Sequence, residues 1–130
     1  LLPILYWPLT RMWPELDPSE SARELVSVVN GSSDWLLLAL AVVVMAPLVE
    51  ELYFRGFLLR ALGANGSLIM APLVTSAVFA LVHQQLVVMP GLFLFGLIAS
   101  ALVWWQGRLG LAWMFHAGFN ATSLVMLAQA

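Results

Sequence analysis

Long apolar stretches alternate with short polar turns along most of this chain. No formally charged residue occurs at positions 35–49, and none occurs between Arg60 and Arg108. Turns at 63–66, 90–91 and 107–110 divide the rest into apolar segments at about 35–62, 67–85, 92–106 and 111–130. At ~1.5 Å per residue, helices of this kind suit a ~30 Å hydrocarbon core. The pattern predicts about four transmembrane helices joined by short turns.

The first third of the chain has a different pattern. Residues 1–14 combine tryptophan, tyrosine and proline in a way that is typical of the lipid headgroup region. Residues 17–20 resemble a helix start, and apolar positions then alternate with charged ones up to residue 29. We expect an interfacial N-terminal segment at 1–34, whose beginning could be the tail of an upstream span, and a membrane domain at 35–130.

Composition supports a membrane protein. The chain is 62% hydrophobic and 9% charged, whereas roughly 25% of residues are charged in soluble domains. It has a net charge of −2 and no basic cluster, which argues against a nucleic-acid partner. Cysteine is absent, so disulfide and thiolate chemistry are excluded. The predicted fold class is all-α, a polytopic transmembrane helix bundle with an N-terminal interfacial helix.

Three charges interrupt the first apolar segment at membrane depth. Ionisable residues there are costly, face a bundle interior and mark function. Glu51 and Arg55 are four residues apart, so they share a helix face and can pair, whereas Glu50 is rotated by about 100°. Pro47 should kink the helix just before this turn. Glu50 is therefore the candidate general base, and Glu51 with Arg55 the candidate structural pair.

Two histidines lie in later apolar segments. Phe79 and His83 are four residues apart, as are His116 and Asn120. Counted along the helices, Glu50, both histidines and Asn120 lie within about two turns in depth, so they can meet in one buried site. His116 and Asn120 could stabilise an oxyanion. Asn120 could instead form only a hydrogen bond between two helices. For Phe79 we favour a role in core packing.

Small residues in the third apolar segment predict a close helix contact. Gly96 and Ser100 are four residues apart and would share one face. Such pairs let the backbone of a neighbouring helix approach closely.

Together these motifs resemble the CPBP family of CAAX-protease and bacteriocin-processing, Abi-like intramembrane endopeptidases. The resemblance rests on Glu50, Glu51 and Arg55, then Phe79 and His83, then His116 and Asn120, in order on separate apolar segments. It implies that Glu50 and His83 activate a water, that His116 and Asn120 bind the oxyanion, and that Glu51 and Arg55 hold the site together. The implied substrate is a lipidated CAAX-like, membrane-anchored or bacteriocin-type peptide, cleaved in the bacterial cell membrane.

The resemblance leaves the metal question open. The family has commonly been classed with metalloproteases, and Glu50, His83 and His116 could bind zinc or another divalent metal. A metal-free glutamate mechanism uses the same residues. Because the chain lacks a His-Glu-x-x-His motif, we favour metal-independent chemistry.

Two other functions fit the same residues. One is a non-catalytic membrane binding or immunity protein of the same fold. The other is a proton or ion pathway, because intramembrane glutamates and histidines also serve pumps. Retention of every motif residue favours the enzyme.

Overall fold

The computed structural model describes residues 11–12, 19–64 and 68–129, and every regular element in them is helical. Within these ranges the longer helices are α1 (Glu20–Ser27), α2 (Ser32–Ala64), α3 (Met70–Val82), α4 (Met89–Gln106) and α5 (Leu109–Ala128). The predicted all-α bundle is confirmed. Helix α1 matches the predicted N-terminal helix and has no buried residue. Most of the aromatic segment at 1–14 and half of the turn at 63–66 lie outside the described residues.

The number of full-length spans differs from the prediction. In the described part of the chain, α2, α4 and α5 are long and apolar enough to cross a membrane, with 33, 18 and 20 residues. Helix α3 is also apolar but has only 13 residues. That corresponds to ~20 Å, which is less than a ~30 Å hydrocarbon core. Within the described residues the bundle therefore has three membrane-length helices and one shorter apolar helix, where the sequence predicted about four spans.

Helix α3 is short because the chain reverses at its end. Gln84 has a left-handed φ of 54°, and its N–H donates to the carbonyl of Leu81 at 3.1 Å, which closes the helix. Helix α4 then begins at Met89, with Pro90 in its first turn. The first turn tolerates proline because its N–H groups have no helical acceptor. The turn predicted at 90–91 is thus helical, and the connection lies at 84–88.

Helix α2 is not a regular α-helix. It contains two π segments, Leu40–Met45 and Leu52–Leu58, and the buried Pro47 follows directly after the first. Pro47 was predicted to kink the helix, and the structure has a π turn just before it. π turns are uncommon and frequently occur at functional sites.

The interior is built from aromatic and small side chains. Its buried hydrophobic residues include Phe54, Leu59, Phe79, Phe95, Ala99, Val103 and Ala112. Helices α3 and α4 approach closely at Gly96, where an added Cβ would lie 2.9 Å from the Cβ and 3.0 Å from the Cα of Ser76. The predicted close contact at Gly96 is confirmed, and it lets two backbones meet where only packing and polar contacts drive helix association.

Substituting Gly96→Ala should destabilise the bundle by about 1–3 kcal/mol, because the new methyl group meets backbone that cannot move away. The matched control is Gly118→Ala in α5, where a Cβ would meet nothing within 4 Å. That change should be neutral or slightly stabilising, since alanine favours helix over glycine by about 1 kcal/mol. Thermal unfolding in detergent compares the two, and equal melting temperatures would contradict the close contact.

Candidate active site

The predicted pair on α2 forms an ion pair in the interior. Arg55 Nη1 donates to Glu51 Oε1 at 2.8 Å, and both side chains are essentially inaccessible. Arg55 Nη2 also donates to the carbonyl of Gly96 at 3.2 Å, which ties α2 to α4. The pairing predicted from the four-residue spacing is confirmed, and the glycine carbonyl adds a link between helices.

Aromatic rings surround this ion pair. The guanidinium of Arg55 lies 4.6 Å from the ring centroid of Phe79, a cation–π contact. Phe79 is fully buried, and its ring also packs edge-on against Phe54 and stacks with Phe95. Core packing was predicted for Phe79 and is confirmed. In addition, the ring covers one side of the buried charge.

His116 is oriented by the ion pair. Its Nδ1–H donates to Glu51 Oε1 at 2.9 Å, so this one carboxylate oxygen accepts from both Arg55 and His116. A carboxylate accepts hydrogen bonds, which assigns the proton to Nδ1 and leaves Nε2 to face the site. Nε2 lies 3.8 Å from Glu50 Oε2. Helices α2 and α5 therefore meet through Glu51 and His116.

His83 is oriented in a similar way by its own helix. It caps the end of α3, and its Nδ1–H donates to the carbonyl of Phe79 at 2.7 Å. Because a carbonyl can only accept a hydrogen bond, Nδ1 carries the proton and Nε2 keeps the lone pair. Nε2 lies 4.0 Å from Glu50 Oε2. The four-residue spacing places the Phe79 carbonyl within reach of His83 Nδ1, and this hydrogen bond fixes the tautomer of His83.

Glu50 lies where the two imidazoles converge. Its Oε2 faces the Nε2 atoms of both His83 and His116, and no hydrogen bond joins this buried atom to any residue in the described ranges. The side chains of Glu50 and His83 keep 30% and 28% of their exposure, whereas His116 keeps 6%. The arrangement is a carboxylate flanked by two imidazole nitrogens, with Glu50 and His83 as its partly exposed members.

Asn120 is placed differently from the other motif residues. It follows His116 by one turn of α5, and its Nδ2 donates to the main-chain carbonyl of Val42 at 2.9 Å. This is a contact between helices α5 and α2. Its role as an oxyanion donor stays a prediction, and the amide nitrogen has a second hydrogen for it.

The donor set does not form a metal site as it stands. Neighbouring ligands in a tetrahedral zinc site with bonds of ~2.0–2.1 Å lie roughly 3.3 Å apart. The corresponding separations between Glu50 and the two histidines are 3.8 and 4.0 Å. Among the described residues no group of three His, Cys, Asp or Glu is arranged to hold a metal. The zinc ligands considered from the sequence, Glu50, His83 and His116, come together but do not fit the ion.

Two side chains at the site had not been singled out from the sequence. The ring of Phe95 lies 4.8 Å from the imidazole of His116, edge-on. Trp113 Nε1 donates to the carbonyl of Val44 at 3.3 Å. Phe95 carries no polar signal that could separate it from core residues. Trp113 lies three residues before His116 and therefore on its helix face, which was a usable signal.

A helical membrane bundle that gathers two glutamates, an arginine and two histidines at buried and partly buried positions defines a polytopic membrane protein with a cluster of ionisable side chains. Residues 32–122 match the family model described as type II CAAX prenyl endopeptidase Rce1-like. The chain belongs to this family, which makes it an integral membrane protein of an intramembrane protease family. No curated protein and no solved structure matches the chain.

Proposed function

We propose that this protein is an intramembrane endopeptidase that hydrolyses a peptide bond of a membrane-anchored or lipidated, CAAX-like substrate. One observation carries the proposal: Glu50 Oε2 faces the Nε2 atoms of both His116 and His83, at 3.8 and 4.0 Å. A carboxylate between two oriented imidazoles is suited to general base catalysis. We assign the catalytic domain to residues 35–130 and the interfacial segment to 1–34.

In this mechanism Glu50 is the general base. A water lies against Glu50 Oε2 and the His83 Nε2 lone pair, which hold it for attack. As the water oxygen bonds to the peptide carbonyl carbon, its proton passes to Glu50 and the carbonyl becomes an oxyanion. When the C–N bond breaks, Glu50 returns the proton to the leaving amine. The products are a carboxylic acid, which then loses its remaining proton to solvent, and a free amine, and the glutamate is regenerated.

The oxyanion is assigned to α5. When both of its ring nitrogens carry a proton, His116 keeps its Nδ1–H on Glu51 and offers an Nε2–H to the oxyanion. The second amide hydrogen of Asn120 is the other donor. Donors held in place before the reaction stabilise the transition state most effectively.

The substrate class rests on the family and on exposure. The family description names CAAX prenyl endopeptidases, and membrane-length helices suit a substrate that arrives through the bilayer. Glu50 and His83 are the partly exposed members of the site, so the peptide would approach on their side. We place the protein in the bacterial cell membrane, with a bacteriocin-type peptide as the second substrate to test.

The experiment is cleavage in proteoliposomes. Protein reconstituted in vesicles is incubated with a library of farnesylated, geranylgeranylated and unmodified peptides, and new termini are identified by mass spectrometry. We expect cleavage of lipidated peptides near the modified residue, and faster than of the unmodified versions. Binding of these peptides without cleavage by a folded, inserted protein would favour the non-catalytic binding protein.

Chelation should leave this activity unchanged, because the separations between Glu50 and the two histidines exceed those of a tetrahedral zinc site. The measurement is the cleavage rate before and after treatment with 1,10-phenanthroline, with elemental analysis of the same samples. A zinc peptidase treated in parallel shows that the chelator works. Stoichiometric zinc that leaves together with activity would contradict the metal-free mechanism.

A further inference from the structure

Three donors on one face of α5 hold α2. Trp113, His116 and Asn120 follow at i, i+3 and i+7, so they share a face. His116 Nδ1–H donates to Glu51 Oε1 at 2.9 Å. The other two donate to main-chain carbonyls: Trp113 Nε1 to Val44 at 3.3 Å and Asn120 Nδ2 to Val42 at 2.9 Å. Both carbonyls belong to the π segment Leu40–Met45.

The bonding pattern of α2 explains why a carbonyl there needs a donor. At the end of the π segment the N–H of Ala46 bonds to the carbonyl of Ala41, five residues back. The next carbonyl in this pattern, that of Val42, would receive the N–H of residue 47. Residue 47 is proline, which has none. A carbonyl without a donor is costly inside a membrane, and Asn120 supplies the missing hydrogen bond.

The π segment determines the direction of the glutamates. Each of its hydrogen bonds spans one residue more than an α-helical hydrogen bond, so the segment accommodates one extra residue. If it returned to α-helical bonding, every later residue would rotate by about 100° relative to the N-terminal half of α2. Glu50 would then turn away from His83 and His116. The orientation of Glu50 thus depends on contacts that stabilise Leu40–Met45.

We propose that Trp113 is a positioning residue. Its indole N–H, together with the amide of Asn120, keeps Leu40–Met45 in π register and so directs Glu50 at the two histidines. Trp113 belongs to none of the motifs that carry the family resemblance and does not touch the reacting atoms. The activity readout of this proposal rests on the proposed peptidase function, whereas its spectroscopic readout does not.

The test variant is Trp113→Phe, which removes the N–H and keeps an aromatic side chain. The matched control is Trp105→Phe at an exposed tryptophan of α4. We expect kcat to fall about 10- to 100-fold in Trp113→Phe with KM nearly unchanged, because small misplacements of reacting groups cost this much. The control should retain wild-type values of both.

A second readout requires no activity. The chain has two histidines, so ¹⁵N-histidine labelling gives two sets of ring signals. The Nδ1–H of His116 bonded to Glu51 should give a distinct signal. Trp113→Phe should shift it, whereas Trp105→Phe should not. If Trp113→Phe shifts the His116 signal but the wild-type protein cleaves no peptide, the positioning role of Trp113 stands and the proposed peptidase function is rejected.

A third variant keeps the proposal falsifiable if Trp113→Phe does not fold. Pro47→Ala restores a main-chain N–H and allows α2 to return to α-helical bonding, so it should fold at least as well. Trp113→Phe combined with Pro47→Ala should therefore fold, with kcat lower than wild type by about 10-fold or more and the His116 signals shifted. Wild-type kcat and ring signals in this double variant, or in a folded Trp113→Phe, would overturn the proposal.

Discussion

Glu50→Gln is expected to abolish peptide cleavage, with kcat lower by about 10³-fold or more and the fold unchanged. Glutamine has nearly the same shape but cannot take a proton from water, and general base catalysis contributes about 10²–10⁴-fold. The fold should survive because Glu50 Oε2 has no hydrogen-bond partner among the described residues and the side chain is 30% exposed. The measurement is kcat with the best lipidated peptide, alongside thermal unfolding.

The matched control is Glu24→Gln, the same chemical change at an exposed position of α1. It should retain wild-type kcat. Peptide affinity of Glu50→Gln, measured by direct binding, should also stay close to wild type. If Glu50→Gln cleaves at more than about a tenth of the wild-type rate, Glu50 is not the general base.

The local part of the site could be predicted from spacing. Glu51 and Arg55 are four residues apart on one helix, so their pairing follows from helix geometry, and the structure has it at 2.8 Å. The apolar stretches before and after Glu51 and Arg55 contain no charged residue, which predicted that this pair is buried. The close contact at Gly96 followed from residue size in the same way. Arg55 lies one turn from Glu51 on the same helix, and Gly96 has no side chain that could keep a neighbouring helix apart.

Contacts between helices were less predictable. The four-residue spacing of His116 and Asn120 predicted one shared helix face, but not that His116 donates to Glu51 and Asn120 to Val42. Spacing within α5 defines a shared face but cannot identify the acceptors on α2. Those depend on the π register next to Pro47, which shifts the carbonyls by one residue.

The short length of helix α3 could not be predicted from the sequence for a related reason. Residues 67–85 are apolar enough for a span, and no proline or glycine ends the helix before Gln84. The end comes from a left-handed conformation that glutamine rarely adopts, at a φ of 54°. The residue types next to His83 therefore give no signal for this turn.

Arg55→Met is expected to lower the free energy of unfolding by about 3–5 kcal/mol, the cost of removing one partner from a buried ion pair. The change leaves the carboxylate of Glu51 buried with His116 as its remaining partner in the pair network. It also removes the hydrogen bond to Gly96 and the cation–π contact with Phe79. Thermal and denaturant unfolding in detergent measure the loss. Arg60→Met, at an exposed position on the same helix, should change stability little.

A double variant separates charge from packing. In Arg55→Met with Glu51→Leu both buried charges are gone, so much of the lost stability should return, as replacing a whole ion pair by apolar groups is often neutral. Activity should not return, because the Nδ1–H of His116 then has no carboxylate acceptor to hold its ring. A double variant that is stable and active would show that Glu51 and Arg55 only support packing. If Arg55→Met alone unfolds no more easily than Arg60→Met, the buried ion pair does not hold α2 to α4.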